Sequence, residues 1–292
     1  MTQSSDTADS PKDEAPAPSL AAQASELGGT VFVALALAMV VRLLLFQPFT
    51  IPSASMEPTL YEGDYIIVSK FSYGWSRHSI PYSPPLFRGR VLGREPTRGD
   101  VIVFKLPRDN SKDYIKRLIG LPGDRIQVKA GQLYINDVLA RRTPLAAGDA
   151  TCPGLGIVQG VPRYSEALPN GVVHPVNSCL GATGPADNTG VYVVPPHCYF
   201  MMGDNRDNSS DSRFNPLVTP DVAAYNGCPW DPALDEALGA AALEGGVGFV
   251  PAENLEGKAD LILFSWRQGA SLLKPWTWFL NARWDRFLHP LK

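Results

Sequence analysis

The polar and apolar positions along the chain divide it into three parts of different character. Residues 1–27 are small, polar and net acidic, and they hold too little apolar surface to bury, so they predict a disordered tail. Residues 28–49 are almost entirely apolar, with Arg42 as the single charge. At ~1.5 Å per residue they form a helix of roughly 33 Å, enough to cross a bilayer of ~30 Å. The pattern therefore predicts one transmembrane helix ahead of a body of residues 50–292.

Two other interpretations of the apolar segment fit less well. A cleaved signal peptide has a basic leader and a shorter apolar stretch, whereas residues 1–27 contain five acidic residues and one lysine. A buried core helix is seldom apolar over so many consecutive residues. We therefore favour a membrane anchor, with Arg42 close enough to its end to reach a membrane interface.

Short runs rich in Val, Ile, Tyr and Phe follow Ile51, and Gly-Asp pairs separate several of them. Such runs are typical of strands, and glycine followed by aspartate is typical of turns. The predicted strands are residues 64–70, 101–105, 114–119, 125–129, 132–135, 191–194, 199–202 and 259–265. The predicted fold class is mainly β: a single N-terminal transmembrane helix followed by a β-rich domain.

Two long stretches interrupt the strand pattern. Residues 143–190 and 214–246 are rich in Pro and Gly, and within the second an Ala/Leu/Glu run at 232–245 predicts a short helix. Loops this long are either functional or insertions on a core fold, so we expect two loop-rich insertions. At residues 272–291, Trp and Phe alternate with Lys and Arg, which suits a membrane interface and equally an amphipathic helix packed on the core.

Charge and cysteine content narrow the classes of function. The formal net charge of −3 argues against a general nucleic-acid binder, and no paired Cys or His spacing indicates a zinc site. Four cysteines fit a disulfide framework in an oxidising compartment, but they allow three pairings. Proximity along the chain mildly favours Cys152 with Cys179 and Cys198 with Cys228.

The first cluster with chemical potential is PSASMEPTL (52–60), directly after the apolar segment. It places Ser53 and Ser55 in a short turn bounded by prolines. A serine hydroxyl is a weak nucleophile unless a neighbouring base takes its proton. The cluster by itself therefore also fits an ordinary polar loop beside a membrane.

The second cluster is YIKRLIGLPGD (114–124). In a strand, alternation places Lys116 and Arg117 on opposite faces, so that one basic residue faces the interior. Burial disfavours the ammonium form and can lower the pKa of a lysine to ~5–6, which leaves a neutral amine able to act as a general base. The pattern alone nevertheless favours a solvent-exposed Lys116 beside Arg117.

The third cluster, MMGDNRDNSSDSR (201–213), is a polar run that follows a predicted strand. Such a loop can orient a catalytic group and hold itself in place by Asp–Arg pairs. A calcium loop is excluded because Arg206 occupies a position that requires an oxygen ligand.

Together the clusters resemble the motifs of bacterial type I signal peptidases, or leader peptidases, a family of Ser/Lys-dyad proteases. The resemblance runs from about residue 28 to about residue 266 and continues in the Trp/Arg-rich segment beyond it. The matching segments are FQPFTIPSASMEPTL (46–60), EGDYIIVSKFSYG (62–74), RGDVIVFKLP (98–107), YIKRLIGLPGDRI (114–126), MMGDNRDNSSDSR (201–213) and GFVPAENLEGKA (248–259). Ordered motifs behind one anchor are far more specific than a lone short motif.

The resemblance implies a role for each matching residue. Ser55 would be the nucleophile, Lys116 its general base, and Ser53 a partner of the Ser55 N–H in the oxyanion hole. Ser209 would hydrogen-bond the lysine amine and orient it. The supporting residues would be Asp204, Arg206, Asp211 and Arg213. The residues lining pockets for small side chains would be Phe49, Ile51, Pro52, Tyr114 and Ile115.

The implied function is that of a membrane-bound serine endopeptidase that removes signal peptides from exported preproteins after small-x-small, Ala-x-Ala-like sites. It would need no metal and no cofactor. Its partners would be preprotein signal peptides and the lipid bilayer, near the secretion translocon, and no nucleic acid. We expect a single-pass protein of the bacterial inner (cytoplasmic) membrane, with residues 1–27 in the cytoplasm and the catalytic domain, residues 50–292, in the periplasm.

Some features depart from the family pattern or compete with it. Ala54 replaces the glycine common between the two serines, the insertions are unusually long, and one anchor helix is evident where many relatives carry two. The alternatives are a self-cleaving Ser/Lys repressor-type protease, a membrane-anchored β-rich binding module, and a peptidase dedicated to conjugation or pilus proteins. The four histidines follow no serine-triad motif, and we interpret them as surface or loop residues: His78, His174, His197 and His289.

Overall fold

The computed structural model describes residues 20–217, 227–240, 245–267, 274 and 276–291. The chain forms two compact units, an N-terminal unit that ends at Val41 and a larger second unit, residues 42–292. The N-terminal unit contains most of helix α1, Leu20–Leu44. Within α1, Ser25–Leu44 has a mean hydropathy of 2.2 and none of it is buried, and it is the one candidate membrane span in the described part of the chain.

The predicted limits of this helix, residues 28–49, are wrong at both ends. The helix includes residues 20–27, which we expected in the disordered tail, while residues 1–19 lie outside the described residues. It ends at Leu44, and Phe46–Thr50 form strand β1. Pro48 explains the early end, because its ring clashes with the preceding helical turn and it lacks the N–H that a helix requires.

The second unit is built around an antiparallel sheet of eight strands. The strands of this sheet are β1 Phe46–Thr50, β2 Asp64–Ser69, β3 Val101–Lys105, β4 Asp113–Gly120, β12 Cys198–Met202, β13 Val250–Pro251, β14 Leu255–Ser265 and β15 His289–Pro290. Seven of them follow the order β1-β2-β14-β3-β4-β12-β13, and β15 pairs with β14. Strand β4 lies inside the sheet between β3 and β12, and its last six residues are buried. The prediction of a mainly β fold is confirmed.

Two smaller antiparallel sheets complete the β structure. One has the order β11-β5-β6-β7, with β5 Arg125–Lys129, β6 Gln132–Ile135, β7 Val138–Leu139 and β11 Tyr192–Val193. The other has the order β10-β9-β8, with β8 Arg141–Cys152, β9 Gly156–Ala167 and β10 Val173–Asn177. We call this three-stranded sheet the insertion sheet, after the predicted insertion at residues 143–190 in which most of it lies.

The insertion sheet corrects the description of residues 143–190 as loop-rich. The long strands β8 and β9 pair along most of their lengths with two bulges. Pro and Gly at several positions hid this pairing, because both residues weaken a strand pattern and are tolerated at edges and bulges. In the second stretch, 214–246, a short helix α2 is present at Ala233–Leu238, inside the range predicted for it.

The C-terminal segment contains helix α3, Trp276–Asn281, in which no residue is buried. Several of its aromatic residues are strongly exposed, among them Trp276 and Phe279. The segment is nevertheless fixed to the sheet, since Arg286 pairs with the buried Asp64 at 2.5 Å and β15 pairs with β14. Over its described residues, 274 and 276–291, it therefore does not form the amphipathic helix packed on the core that was one of the two expectations.

Two disulfides connect Cys152 with Cys179 and Cys198 with Cys228. This is the pairing that proximity favoured among the three that the sequence left open. The first disulfide joins the end of β8 to the loop after β10, and the second fixes the start of β12 to the second insertion.

Candidate active site

Ser55 lies in a single 3-10 turn, Ala54–Met56, between β1 and β2. Met56 anchors the turn, because its side chain is completely buried in the core. From the third motif, the Asn205 N–H donates to Ser55 O at 3.1 Å and its Nδ2 donates to Ala54 O at 3.2 Å. The serine is therefore held on a rigid turn while its own side chain lines a cleft.

Lys116 projects from β4 and is 3% exposed, so the interpretation of a solvent-exposed lysine is wrong. Its Nζ lies 2.6 Å from Ser55 Oγ and 3.0 Å from Ile115 O. Arg117, on the opposite face of the strand, is also buried. Both basic residues are therefore buried, whereas strand alternation predicted that only one of them faces the interior. The sheet is covered on both faces here, which strand alternation alone could not reveal.

The electrostatics of the site make a neutral amine accessible near pH 7. Burial lowers the pKa of Lys116 to about 8, against the opposing effect of the Asp211 and Asp204 carboxylates. Roughly a tenth of the lysine is then uncharged at pH 7, compared with a negligible fraction at an ordinary lysine pKa. A buried amine in contact with a serine hydroxyl is the arrangement that a Ser/Lys nucleophile requires.

Ser53 lies beside Ser55 with its Oγ 3.5 Å from Ser55 Oγ, and it is exposed to the cleft. Ser209 lines the same cleft, but the expected hydrogen bond to the lysine amine is absent. Its buried Oγ has no hydrogen-bond partner among the described residues. The reason is local packing: Lys116 Nζ is directed to Ser55 Oγ and Ile115 O, and Ser209 packs closely against Gly203.

Asp211 and Arg213 form the expected pair, with two hydrogen bonds of 2.9 Å from the guanidinium to the carboxylate. Asp211 also accepts the Gly203 N–H at 2.9 Å, and Arg213 donates to Arg206 O. Gly203 cannot carry a side chain, because an added Cβ would lie 2.5 Å from Ser55 O. This loop is therefore packed directly against the Ala54–Met56 turn, which we call the nucleophile turn after the role predicted for Ser55.

Asp204 is directed away from the lysine to the other face of β4, where it pairs with Arg117 at 2.8 Å. Both side chains are essentially inaccessible to solvent. Burial by itself would raise the pKa of Asp204, but the Arg117 guanidinium and the nearby His174 hold it well below its ordinary value. The pair of Arg117 and Asp204 therefore fixes β4 to the third motif.

Sequence reasoning missed a buried charged group that the insertion sheet contributes. Glu166 on β9 accepts hydrogen bonds from Arg206 and, at 2.8 Å, from Arg142 on β8. His174 on β10 lies between Glu166 and Asp204, at 3.5 and 3.3 Å. The interpretation of His174 as a surface or loop residue is therefore wrong, and so is that of His78, which is also buried. No motif spacing connects these residues, because tertiary packing alone brings them together.

The cleft in front of Ser55 has a volume of about 680 Å³. Of the residues predicted to line small-side-chain pockets, Pro52, Tyr114 and Ile115 line this cleft. Ile51 packs in the hydrophobic core behind the turn and the half-buried Phe49 packs against that core, because strand alternation in and after β1 turns them inward. The cleft is also lined by residues from the insertions and the third motif, including Thr151, Pro153, Leu180, Pro185, Asp207 and Phe214.

Known proteins that are similar to this chain are signal peptidases. Residues 24–266 match the family model described as signal peptidase, peptidase S26. Signal peptidase I of Rickettsia typhi is 38% identical over 270 residues, covering 86% of this chain and 88% of that protein. Signal peptidase I of Rickettsia massiliae is 38% identical over 248 residues, covering 82% and 79%. A crystal structure of signal peptidase I from Enterococcus faecalis shares 23% identity, covers 56% of this chain and 97% of that chain, and gives a TM-score of 0.28.

The fold and the family match define a hydrolase of the serine endopeptidase class. The chain belongs to the signal peptidase family, peptidase S26. Within that family it is similar to signal peptidase I over most of its length, and its activity is the removal of signal peptides.

Proposed function

We propose that Ser55 and Lys116 form the catalytic dyad of this signal peptidase. The observation that carries the proposal is the 2.6 Å contact between Lys116 Nζ and Ser55 Oγ at the floor of a solvent-accessible cleft. Burial supplies the second requirement, because it lowers the pKa of Lys116 to about 8.

In the proposed mechanism, neutral Lys116 accepts the Ser55 hydroxyl proton while Oγ attacks the scissile carbonyl carbon. The carbonyl oxygen becomes an oxyanion in a tetrahedral intermediate. As the C–N bond breaks, the Lys116 ammonium gives its proton to the leaving amine, which is the new N-terminus of the mature protein. Lys116 then takes a proton from a water molecule that attacks the acyl-enzyme ester, and it returns that proton to Ser55 Oγ as the ester C–O bond breaks and the signal peptide leaves.

Ser53 Oγ and the Ser55 backbone N–H form the proposed oxyanion hole. Ser53 Oγ lies on the cleft side of the turn, 3.5 Å from the nucleophilic oxygen. A hydroxyl in this position can donate to the charge that develops on the carbonyl oxygen, where one such donor contributes about 3–4 kcal/mol to transition-state stabilisation.

The proposed cleavage site is small-x-small, of the Ala-x-Ala type. The peptide before the scissile bond would lie in extended form along Pro52, Tyr114 and Ile115, which line the cleft beside the dyad. Side chains that alternate toward the enzyme would meet the part of β4 that lines the cleft, Tyr114 and Ile115. We assign Asp204, Arg206, Asp211 and Arg213 supporting roles, since their buried pairs hold the loop against the nucleophile turn.

We further propose that α1 anchors the enzyme in the bacterial inner membrane by a single pass. The two disulfides support a periplasmic catalytic domain, and hence a cytoplasmic N-terminus, because disulfides persist in oxidising compartments. Exposed aromatic side chains of the C-terminal segment, such as Trp276 and Phe279, suit the interface of the bilayer. This location places the site beside signal peptides that emerge from the secretion translocon.

The test is cleavage of a purified preprotein in detergent by the wild type, Ser55→Ala and Lys116→Met. Lys129→Met is the matched control, because Lys129 is an exposed lysine on β5 away from the cleft. We expect both dyad variants to lose at least about 10³-fold in kcat, and the control to retain wild-type activity with cleavage after a small-x-small sequence. Full activity of either dyad variant would overturn the proposal.

A further inference from the structure

A second cleft, larger than the one in front of Ser55, adjoins it. Its volume is about 900 Å³, and Glu62 and Thr151 line both clefts. A polypeptide that crosses Ser55 must leave the active site in two directions. The proposed signal-peptide side runs along Pro52, Tyr114 and Ile115. The shared border at Glu62 and Thr151 offers the chain its other exit.

Three parts of the chain form the walls of this second cleft. The continuation of the nucleophile turn contributes Glu57, Pro58, Tyr61 and Glu62. The C-terminal region contributes Arg267, Arg283, Asp285 and Arg286. The insertion sheet contributes Leu145, Gly148, Asp149, Ala150, Thr151, Ile157, Arg163 and Pro175. The insertion sheet therefore supplies the largest share of the lining.

The strand of the insertion sheet with most residues in the cleft is β8, which is an edge strand. In the order β10-β9-β8 it pairs with β9 on one side only, within the described residues. The Thr151 N–H and C=O on this edge are already hydrogen-bonded within the protein, so a peptide in the cleft would contact the side chains of β8 there rather than pair with its backbone. The segment Gly148–Thr151 of this strand borders the cleft.

The wall is held in place before any peptide binds. Thr151 N donates to the Glu57 carboxylate at 2.7 Å, and Asn205 Nδ2 donates to Thr151 O at 2.8 Å. Arg163 packs across Gly148, with its Nε donating to Asn177 Oδ1 at 3.0 Å. A prearranged wall reduces the ordering cost of binding an extended chain.

Two apolar side chains that line this cleft are exposed to solvent. Leu145 is 45% exposed and Ile157 is 77% exposed, and both line the cleft. An extended peptide in the cleft would remove part of this apolar surface from water, which favours binding.

We infer that this cleft binds the mature part of the preprotein, the residues after the scissile bond, as an extended chain that passes alongside β8. The inference rests on the proposed function, since the direction of the peptide follows from the Ser55 and Lys116 assignment. It gives the insertion sheet a role in recognising substrate beyond the cleavage site.

The test compares two substrates with the same signal peptide and cleavage site. One is a full preprotein, and the other is a peptide that ends shortly after the scissile bond. The full-length enzyme in detergent is assayed as wild type, Leu145→Glu and Ile157→Glu. Leu155→Glu is the matched control, because Leu155 is 70% exposed on the same β8–β9 hairpin but lines neither cleft.

We expect Leu145→Glu and Ile157→Glu to raise KM for the full preprotein by roughly three- to tenfold. The short peptide should show unchanged KM and kcat with the same enzymes, and Leu155→Glu should change neither substrate. Equal effects on both substrates, or no effect of Ile157→Glu on the preprotein, would overturn the inference while the dyad assignment stands. If the wild type cut neither the short peptide nor the preprotein, the proposed function would be overturned and this inference with it.

Discussion

Glu166 of the insertion sheet forms a fully buried ion pair with Arg206 of the third motif, although 40 residues separate them. Arg142 reaches the same carboxylate at 2.8 Å. The insertion sheet is therefore attached to the loop that supports the nucleophile turn.

Replacing this carboxylate is expected to destabilise the protein strongly. Glu166→Gln leaves Arg206 and Arg142 buried without a counter-charge, which typically costs about 3–5 kcal/mol of unfolding free energy. Urea denaturation followed by circular dichroism measures the loss. Asp137→Asn is the control, because the Arg125–Asp137 pair is mostly exposed and should contribute little. Equal stability of Glu166→Gln and wild type would contradict the prediction.

The same carboxylate predicts a loss of stability in acid. Burial alone would raise the pKa of Glu166, but Arg206 and Arg142 lower it from 4.5 to about 2. A lowered folded-state pKa means that the unfolded state binds the proton first as the pH falls. The contribution of Glu166 is thus complete above about pH 4.5 and is lost between about pH 4.5 and pH 2. Unfolding free energies measured across this window should fall less steeply for Glu166→Gln than for the wild type.

The pH dependence of cleavage should report Lys116. Its pKa in the folded protein is lowered by burial from 10.5 to about 8, and the proposed mechanism needs the neutral amine. The value of kcat/KM should therefore rise about tenfold per pH unit below pH 8 and level off above it. Initial rates of preprotein cleavage at constant ionic strength test this. A profile that is flat from pH 6 to pH 9 would rule out Lys116 as the titrating base.

The proposed oxyanion donor can be tested by side-chain exchange. Ser53→Ala removes the hydroxyl and should lower kcat by about 10²–10³-fold with little change in KM, because the hydrogen bond forms mainly in the transition state. Ser53→Thr keeps a hydroxyl and should recover a large part of the rate. Steady-state kinetics of both variants decide the point, and similar kcat values for Ala and Thr would exclude the assigned role.

The two disulfides provide a matched pair for separating stability from activity. They close loops of similar length, with separations of 27 and 30 residues, so loss of either should cost about 3–4 kcal/mol. Cys152 directly follows Thr151, which lines the cleft in front of Ser55. Cys198 and Cys228 instead pack in a separate hydrophobic core cluster. Cys152→Ala/Cys179→Ala should lower kcat/KM at temperatures where it remains folded, and Cys198→Ala/Cys228→Ala should not. Equal kcat/KM in the two double variants would contradict this difference.

The sequence by itself determined the features of this protein that depend on residues close together along the chain. The strand runs of the core are rich in Val, Ile, Tyr and Phe, and the motifs around Ser55, Lys116 and 201–213 are contiguous, so the mainly β fold, the family and the candidate dyad could be predicted from the sequence. The same local character explains the errors. Pro and Gly in β8 and β9 masked a long hairpin, and an apolar composition carried the predicted helix past Pro48 into β1.

The tertiary structure alone decided what depends on burial and on distant contacts. The contact between Ser55 and Lys116 joins residues 61 positions apart, and the pKa of Lys116 depends on desolvation by neighbours from several strands. Likewise, Glu166 and His174 became part of the site because two sheets pack together, and no spacing along the chain records that packing. Hydrophobic pattern fixes local structure, whereas the environment of a charge is set by groups distant in sequence.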